Sequence, residues 1–121
     1  MSKTIMIVDD SSSLRQVVKI TLSGAGYTVI EASDGQDALA KCDGQKIHLI
    51  ISDVNMPRMD GITFVSELKK NPAYKFTPVI MLTTETGDDK KRAGQAAGAK
   101  AWVTKPFQPA QILAAVSKLI V

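Results

Sequence analysis

Apolar runs rich in β-branched residues alternate along the chain with stretches whose apolar residues recur at helical spacing. TIMIV at 4–8, YTVIE at 27–31, HLIIS at 48–52, PVIMLT at 78–83 and KAWVT at 100–104 predict five strands. Runs such as IMIV and VIML are continuous, not alternating, which predicts strands covered on both faces, as in a parallel sheet. Between them, Leu14, Val17, Val18, Thr21 and Leu22 fall on one helical stripe, with a serine from Ser11 to Ser13 to cap it and Gly24 or Gly26 to end it. Residues 35–43 predict a short helix behind Asp34, with Ala38, Leu39 and Cys42 inward. Ile62, Val65 and Leu68 make a third stripe, closed by Asn71-Pro72. An alanine-built fourth covers 87–97, and Ile112, Leu113, Val116, Leu119 and Ile120 make the fifth.

A strand followed by a helix, five times over, predicts an α/β fold: a parallel sheet with helices on both faces and right-handed crossovers. No stretch is Gly/Ser-rich or repeated. The 121 residues, 45% hydrophobic and 22% charged, suit one domain spanning 1–121 with a real core. No apolar run nears the ~18 residues of a transmembrane helix. The opening MSKTIMIVDD runs from apolar residues into acids and does not resemble a signal peptide. Cys42 is the single cysteine, which fits a reducing cytoplasm. The net charge of +3 is a mild excess. Its densest cluster, Lys90-Lys91-Arg92, follows Asp88-Asp89 and holds no aromatic residue, so it predicts a solvated helix face and no nucleic-acid binding.

In open α/β sheets, ligands sit beyond the carboxyl ends of the strands. Asp9 and Asp10 stand at the end of the first strand, Asp53 at the end of the third, Thr83 and Thr84 at the fourth, and Lys105 at the fifth. Each alone has a plain explanation as a turn residue, a helix cap or solvated surface. Their coincidence on one edge of one sheet predicts a site. If the strand order is 2-1-3-4-5, the first and third strands are neighbours and the three acids share a cleft. Three carboxylates so close either hold protons or hold a cation. An oxygen-only donor set on rigid strand ends suits Mg²⁺. A divalent ion and a lysine aimed at one point would hold a phosphoryl group, and the acid between them would be a nucleophile that forms an acyl phosphate. The chain has neither GxxxxGK[ST] nor GxGxxG, so the phosphoryl group must come from an outside donor.

These residues resemble the receiver domain of bacterial two-component response regulators. IVDDSS, ISDVNMPRMDG, LTTE and KPF carry the resemblance, and it spans the whole chain. It implies a flavodoxin-like, doubly wound (βα)5 three-layer sandwich with order 2-1-3-4-5. It implies that Asp53 accepts the phosphoryl group, and that Asp9, Asp10, Asp53 and the Asn55 carbonyl hold Mg²⁺. Thr83 would be the switch hydroxyl, Lys105 would pair with the phosphate, and Asn55 and Glu85 would flank it and tune hydrolysis. The aromatic switch position, usually tyrosine or phenylalanine, is Trp102, a departure from the pattern.

The likeness is greatest to free-standing chemotaxis receivers. That implies a cytoplasmic, monomeric signalling switch and not an enzyme proper, with no output domain and no membrane contact. Its expected partners are a histidine kinase or histidine phosphotransfer domain, then a flagellar motor switch protein and a phosphatase. A phosphorelay intermediate and a receiver cut from a larger regulator are the alternatives. A phosphatase of the haloacid dehalogenase type would need an acid two residues after its nucleophile, where Asn55 stands. A binding module with a dead site would not keep all of Asp9, Asp10, Asp53, Thr83 and Lys105. His48 lies at the opposite end of its strand and is expected to bind neither metal nor phosphate. Met6, Phe64, Met81, Cys42 and Phe107 are expected in the core, and Met56 and Met59 at an exposed loop surface.

Overall fold

The computed structural model describes residues 3–54, 56, 59–83, 92, 95–105 and 107–120. Its five strands, β1 (Thr4–Val8), β2 (Thr28–Ala32), β3 (Leu49–Asp53), β4 (Val79–Thr83) and β5 (Ala101–Thr104), form one sheet of order β2-β1-β3-β4-β5. Every pairing is parallel. The helices are α1 (Ser12–Gly24), α2 (Gly35–Lys41), α3 (Gly61–Leu68) and the C-terminal helix (Pro109–Leu119). Of the helix expected over 87–97, residue 92 and residues 95–97 are helical; the others lie outside the described residues.

Successive side chains of a strand point to opposite faces, and here both faces are apolar. Ile5, Ile7, Leu49, Ile51, Ile80 and Leu82 pack with Val18 and Leu22 of α1 and with Ile112 and Val116 of the C-terminal helix. Met6, Val8, Ile50, Val79 and Met81 pack on the other face with Ala38 of α2 and Phe64, Val65 and Leu68 of α3. This is the three-layer arrangement that the continuous apolar runs predicted. The central strands β3 and β4 are buried along their whole length, whereas the edge strand β5 is half-buried.

Local chemistry sets the element ends. Ser11 caps α1, its hydroxyl accepting from the Leu14 N–H at 3.2 Å, and Gly26 turns the chain away with φ +96°. Asp34 and Asp60 cap α2 and α3 through the N–H groups of Asp37 and Thr63. Two departures concern the predicted helices. Val17 is 49% exposed, because a helix laid on a sheet buries only the narrow line through Val18 and Leu22. Residue 42 is not helical: α2 stops at Lys41, and Cys42 closes it with its N–H on the carbonyls of Ala38 and Leu39. Cys42 is nonetheless buried, and burial pushes its thiol up to about 11, so it is inert core. Met6, Phe64 and Met81 are buried, and Phe107 packs against the core under the C-terminal helix. Met56 and Met59, expected at the surface, are half-buried against the α2–α3 face.

Candidate functional site

The registers set the strand ends level: Val8 pairs with Ser52, Asp53 with Leu82, and Thr83 with Thr104. Asp9, the residue after β1, therefore stands beside Asp53, the last residue of β3. A carboxylate oxygen from each of Asp9, Asp10 and Asp53 lies within 4.8 Å of the other two. Asp9 is 0% exposed and Asp53 6%, while Asp10 faces solvent. Lys105 reaches in from beyond β5, its Nζ 3.3 Å from Asp9 Oδ2 and 3.2 Å from Asp53 Oδ1. Its backbone N–H donates to the Thr83 carbonyl at 2.7 Å, which ties the lysine to the end of β4.

Asp9 is held from three directions. Its Oδ1 accepts from the Ser11 N–H at 2.8 Å, its N–H donates to the Ala32 carbonyl, and its carbonyl accepts from Arg15 Nη1. Arg15 also reaches Glu31 of β2 at 3.3 Å, so α1, β1 and β2 are pinned at this corner. The pKa values of Asp9 and Asp53 are both raised above the ordinary carboxylate value. Burial is the largest cause for each; the Ser11 N–H opposes it at Asp9, and the Lys105 ammonium opposes it at both.

The loop after β3 crowds this edge. A Cβ on Gly61 would lie 2.1 Å from the Asp53 carbonyl oxygen, so only glycine lets α3 start so close to the acid. The Gly61 N–H donates to the Val54 carbonyl at 2.8 Å and fixes the approach. At Gly35, a Cβ would meet Met59 Cγ at 2.7 Å, so the same loop also closes onto the start of α2.

Thr83 is fully buried at the end of β4. Trp102 pairs with Met81, two residues before Thr83, and packs half-buried on the same face as Phe64 and Met81. Period two along β4 places the Met81 and Thr83 side chains on one face, so hydroxyl and indole share it. The structure thus brings together Asp9, Asp10, Asp53 and Lys105, with Thr83 at the adjoining strand end. Asn55 and Glu85, expected to flank the phosphoryl group, lie outside the described residues. His48 stands at the amino end of β3, away from the acids, where its Nδ1 accepts from the Thr4 N–H at 3.0 Å. Arg15 and Gly61 were not among the expected site residues. A glycine directly after a helix-capping aspartate was a signal for the second; for Arg15, nothing local in the sequence showed that its guanidinium turns back to the Asp9 carbonyl.

The donor set fits a hard divalent cation: clustered carboxylates, no sulfur or imidazole, on the ends of rigid strands. Among the described residues, no helix is long and apolar enough to cross a membrane.

Comparison with known proteins points the same way. The chain is 39% identical to Protein PilG of Pseudomonas aeruginosa over 112 residues, 93% of this chain and 83% of that one. It is 37% identical over 120 residues to the alkaline phosphatase synthesis transcriptional regulatory protein PhoP of Bacillus subtilis, 99% of this chain but 49% of the relative, about half its length. The solved structure of the Vibrio cholerae chemotaxis protein CheY4 superposes with a TM-score of 0.95 at 47% identity, covering 99% of this chain and all of that one. The family model of the response regulator receiver domain matches residues 5–117, nearly the whole sheet and its helices. On that match, this chain belongs to the response regulator receiver domain family of two-component signalling.

Proposed function

We propose that the chain is a phosphorylation-driven switch that takes a phosphoryl group onto Asp53 from the phosphohistidine of a histidine kinase or phosphotransfer domain. The carrying observation is Lys105 lodged between Asp9 and Asp53 at 3.2–3.3 Å, a cation already positioned where a phosphoryl group on Asp53 would bring negative charge. In the transfer, a carboxylate oxygen of Asp53 bonds to phosphorus as the bond from phosphorus to the donor imidazole nitrogen breaks, and the freed imidazole takes up a proton from solvent. Lys105 pairs with the equatorial oxygens, and Thr83 donates its hydroxyl to one of them. Burial keeps bulk water off the acyl phosphate. Asp9, Asp10, Asp53 and the Asn55 carbonyl would hold Mg²⁺, which when bound neutralises charge on the transferring group. The residue types Asn55 and Glu85, polar and neither bulky-aliphatic nor basic, suit a signal that resets in seconds to minutes.

The output would be a rearranged surface. When Thr83 moves toward the phosphoryl group it vacates space on the face it shares with Trp102, and the indole follows inward. That reshapes the surface made by residues 95–97, β5 and the C-terminal helix, where a partner binds. Full-length likeness to a chemotaxis protein favours a free-standing cytoplasmic monomer that signals to a flagellar motor switch protein and is reset by a phosphatase. The half-length match to PhoP supports a second reading, the receiver of a transcriptional regulator.

Acetyl phosphate with Mg²⁺ tests the chemistry. The expected product is an acid-stable, base-labile phosphoprotein, abolished in Asp53→Asn and by chelation, with Mg²⁺ binding weakened in Asp10→Ala. Label on serine or histidine would refute the assignment. Co-purification with a flagellar switch protein, only after phosphorylation, separates the first output reading from the second.

A further inference from the structure

The amino edge of the sheet carries a second concentration of charge, which phosphoryl transfer does not use. Lys3 precedes β1, Lys46 leads into β3, Lys75 stands just before β4, and Lys100 precedes β5. Lys46, Lys75 and Lys100 are exposed. Phe76, on this edge, is 88% exposed, with the Lys75 ammonium 5.7 Å from its ring centre. Beside it lies a groove of about 420 Å³ lined by Lys46, His48, Pro72, Tyr74, Phe76 and Thr77, among others.

The groove is firmly built. The Tyr74 hydroxyl donates to the Gln45 carbonyl at 2.8 Å and accepts from the Gly44 N–H at 3.0 Å, joining the two turns that wall it. From beneath, the Lys69 ammonium donates to the carbonyls of Tyr74 and Thr77. His48 Nδ1 accepts from Thr4, so the neutral ring carries its proton on Nε2 and offers a donor. The field here is positive: after burial, Lys3 and Lys46 hold the His48 pKa down, and Lys100 does the same to Lys69. Against it stands Asp43, an exposed acid that acts on Tyr74 and Cys42.

We propose that this groove docks an acidic segment of a partner protein, its carboxylates facing Lys3, Lys46 and Lys75 while one apolar side chain packs against Phe76. Charge complementarity selects the sign of the partner, and the exposed ring supplies the apolar anchor that protein contacts use. The concave shape favours a peptide over a lipid surface, which would meet a convex apolar face with several side chains to insert. Base stacking of a nucleic acid would want more than one aromatic platform.

Because the chain has a single histidine, its ring protons report on this edge without overlap. The probe is a labelled peptide with a Phe-Leu pair between runs of glutamate, against the same peptide with glutamine. Binding of the glutamate peptide should shift the His48 ring signals, raise the His48 pKa and weaken with salt, and the glutamine peptide should not bind. Phe76→Ala and Lys46→Glu should each weaken binding by about fivefold or more. Both residues are exposed, and both variants should still be labelled by acetyl phosphate, which shows that they fold. The proposal is overturned by no binding, by unchanged affinity in Phe76→Ala, or by peptide shifts at Trp102 without any at His48. Cosedimentation with phosphatidylserine vesicles that Phe76→Ala abolishes, in place of peptide binding, overturns it in favour of a membrane surface.

Discussion

At the carboxyl ends of β1 and β3 the sheet buries Asp9 and Asp53 and sets one lysine between them; at the amino ends the chain meets the same sheet through exposed Lys46 and half-buried Lys3 and His48. Both edges hold ionisable groups, and at both, burial disfavours the charged form: it raises the acids and lowers the imidazole. They differ in how the backbone is treated. The acidic edge brings α3 against the Asp53 carbonyl at a distance only glycine permits, and the basic edge ties its turns with the Tyr74 hydroxyl. One edge keeps charge in a place that weakens the fold, as sites of chemistry do. The other keeps Lys46, Lys75 and Lys100 in water and uses hydrogen bonds to hold shape.

The largest expected effect comes from removing the close approach at the acidic edge. Gly61→Ala places a Cβ 2.1 Å from the Asp53 carbonyl oxygen and 2.9 Å from Met81 Cε. Backbone must move, so the expected loss is about 3 kcal/mol of stability, with phosphorylation by acetyl phosphate slowed as Asp53 shifts. Denaturant melts and the labelling rate check both; a variant as stable as wild type would show that the loop yields freely.

At the basic edge the matching change is Tyr74→Phe. It deletes a hydroxyl that serves one donor and one acceptor, and the expected loss is about 1–2 kcal/mol. Labelling should be untouched, since the turns lie at the other end of the strands. A drop in labelling rate equal to that of Gly61→Ala would erase the distinction between the edges.

The contrast also marks what the sequence showed. The five strands, the double covering of the sheet and the acids at its end were legible, because continuous apolar runs and strand-end carboxylates are local signals. Each of β2 to β5 began one residue later than predicted, since ladder partners on the neighbouring strand decide where pairing starts. Asp34 and Asp60 proved to be helix caps while Asp9 and Asp53 met, a difference decided by strand order and not by residue type. Tyr74 reaches Gly44 and Gln45 across about thirty residues, beyond any sequence window, while Arg15 and Gly61 turn back on Asp9 and Asp53 nearby in the chain, through folds of the loops that periodicity does not report. The burial of Met56 and Met59 likewise follows from a loop folding back on α2.

A smaller effect of opposite sign should follow Asp53→Asn. The Asp53 pKa is raised above the ordinary value of 3.8, by burial first. A raised acid contributes stability below its unfolded pKa and loses it as pH rises through the folded pKa. The amide avoids that loss, so the variant should melt higher than wild type at neutral pH, by about 1 kcal/mol or roughly 4 °C, and converge with it below the ordinary value. Thermal melts across this range check it, and a variant less stable at pH 7 would show that the Lys105 pair outweighs burial.

The smallest effect belongs to the basic edge and runs the other way with pH. His48 accepts from the Thr4 N–H through Nδ1, and its pKa is lowered from 6.5 by burial, then by Lys3 and Lys46. Protonating the ring turns that acceptor into a donor facing a donor. A lowered histidine contributes stability that is complete above its unfolded pKa and is lost as pH falls through the folded pKa. Stability from this edge should therefore decline below about pH 6.5, in the acid region where the carboxylate edge recovers. His48→Gln keeps an acceptor without a titration, so wild type should lose ground to it as pH falls, by about 0.5 kcal/mol, the size of one net hydrogen bond. Salt gives a second test: screening Lys3 and Lys46 should let the His48 pKa climb toward its ordinary value, which shrinks the loss on acidification. A difference between wild type and His48→Gln that stays flat from pH 8 to about pH 5 would mean the ring does not hold the Thr4 N–H in solution, leaving the backbone bond from the His48 N–H to the Thr4 carbonyl to join β1 to the turn before β3.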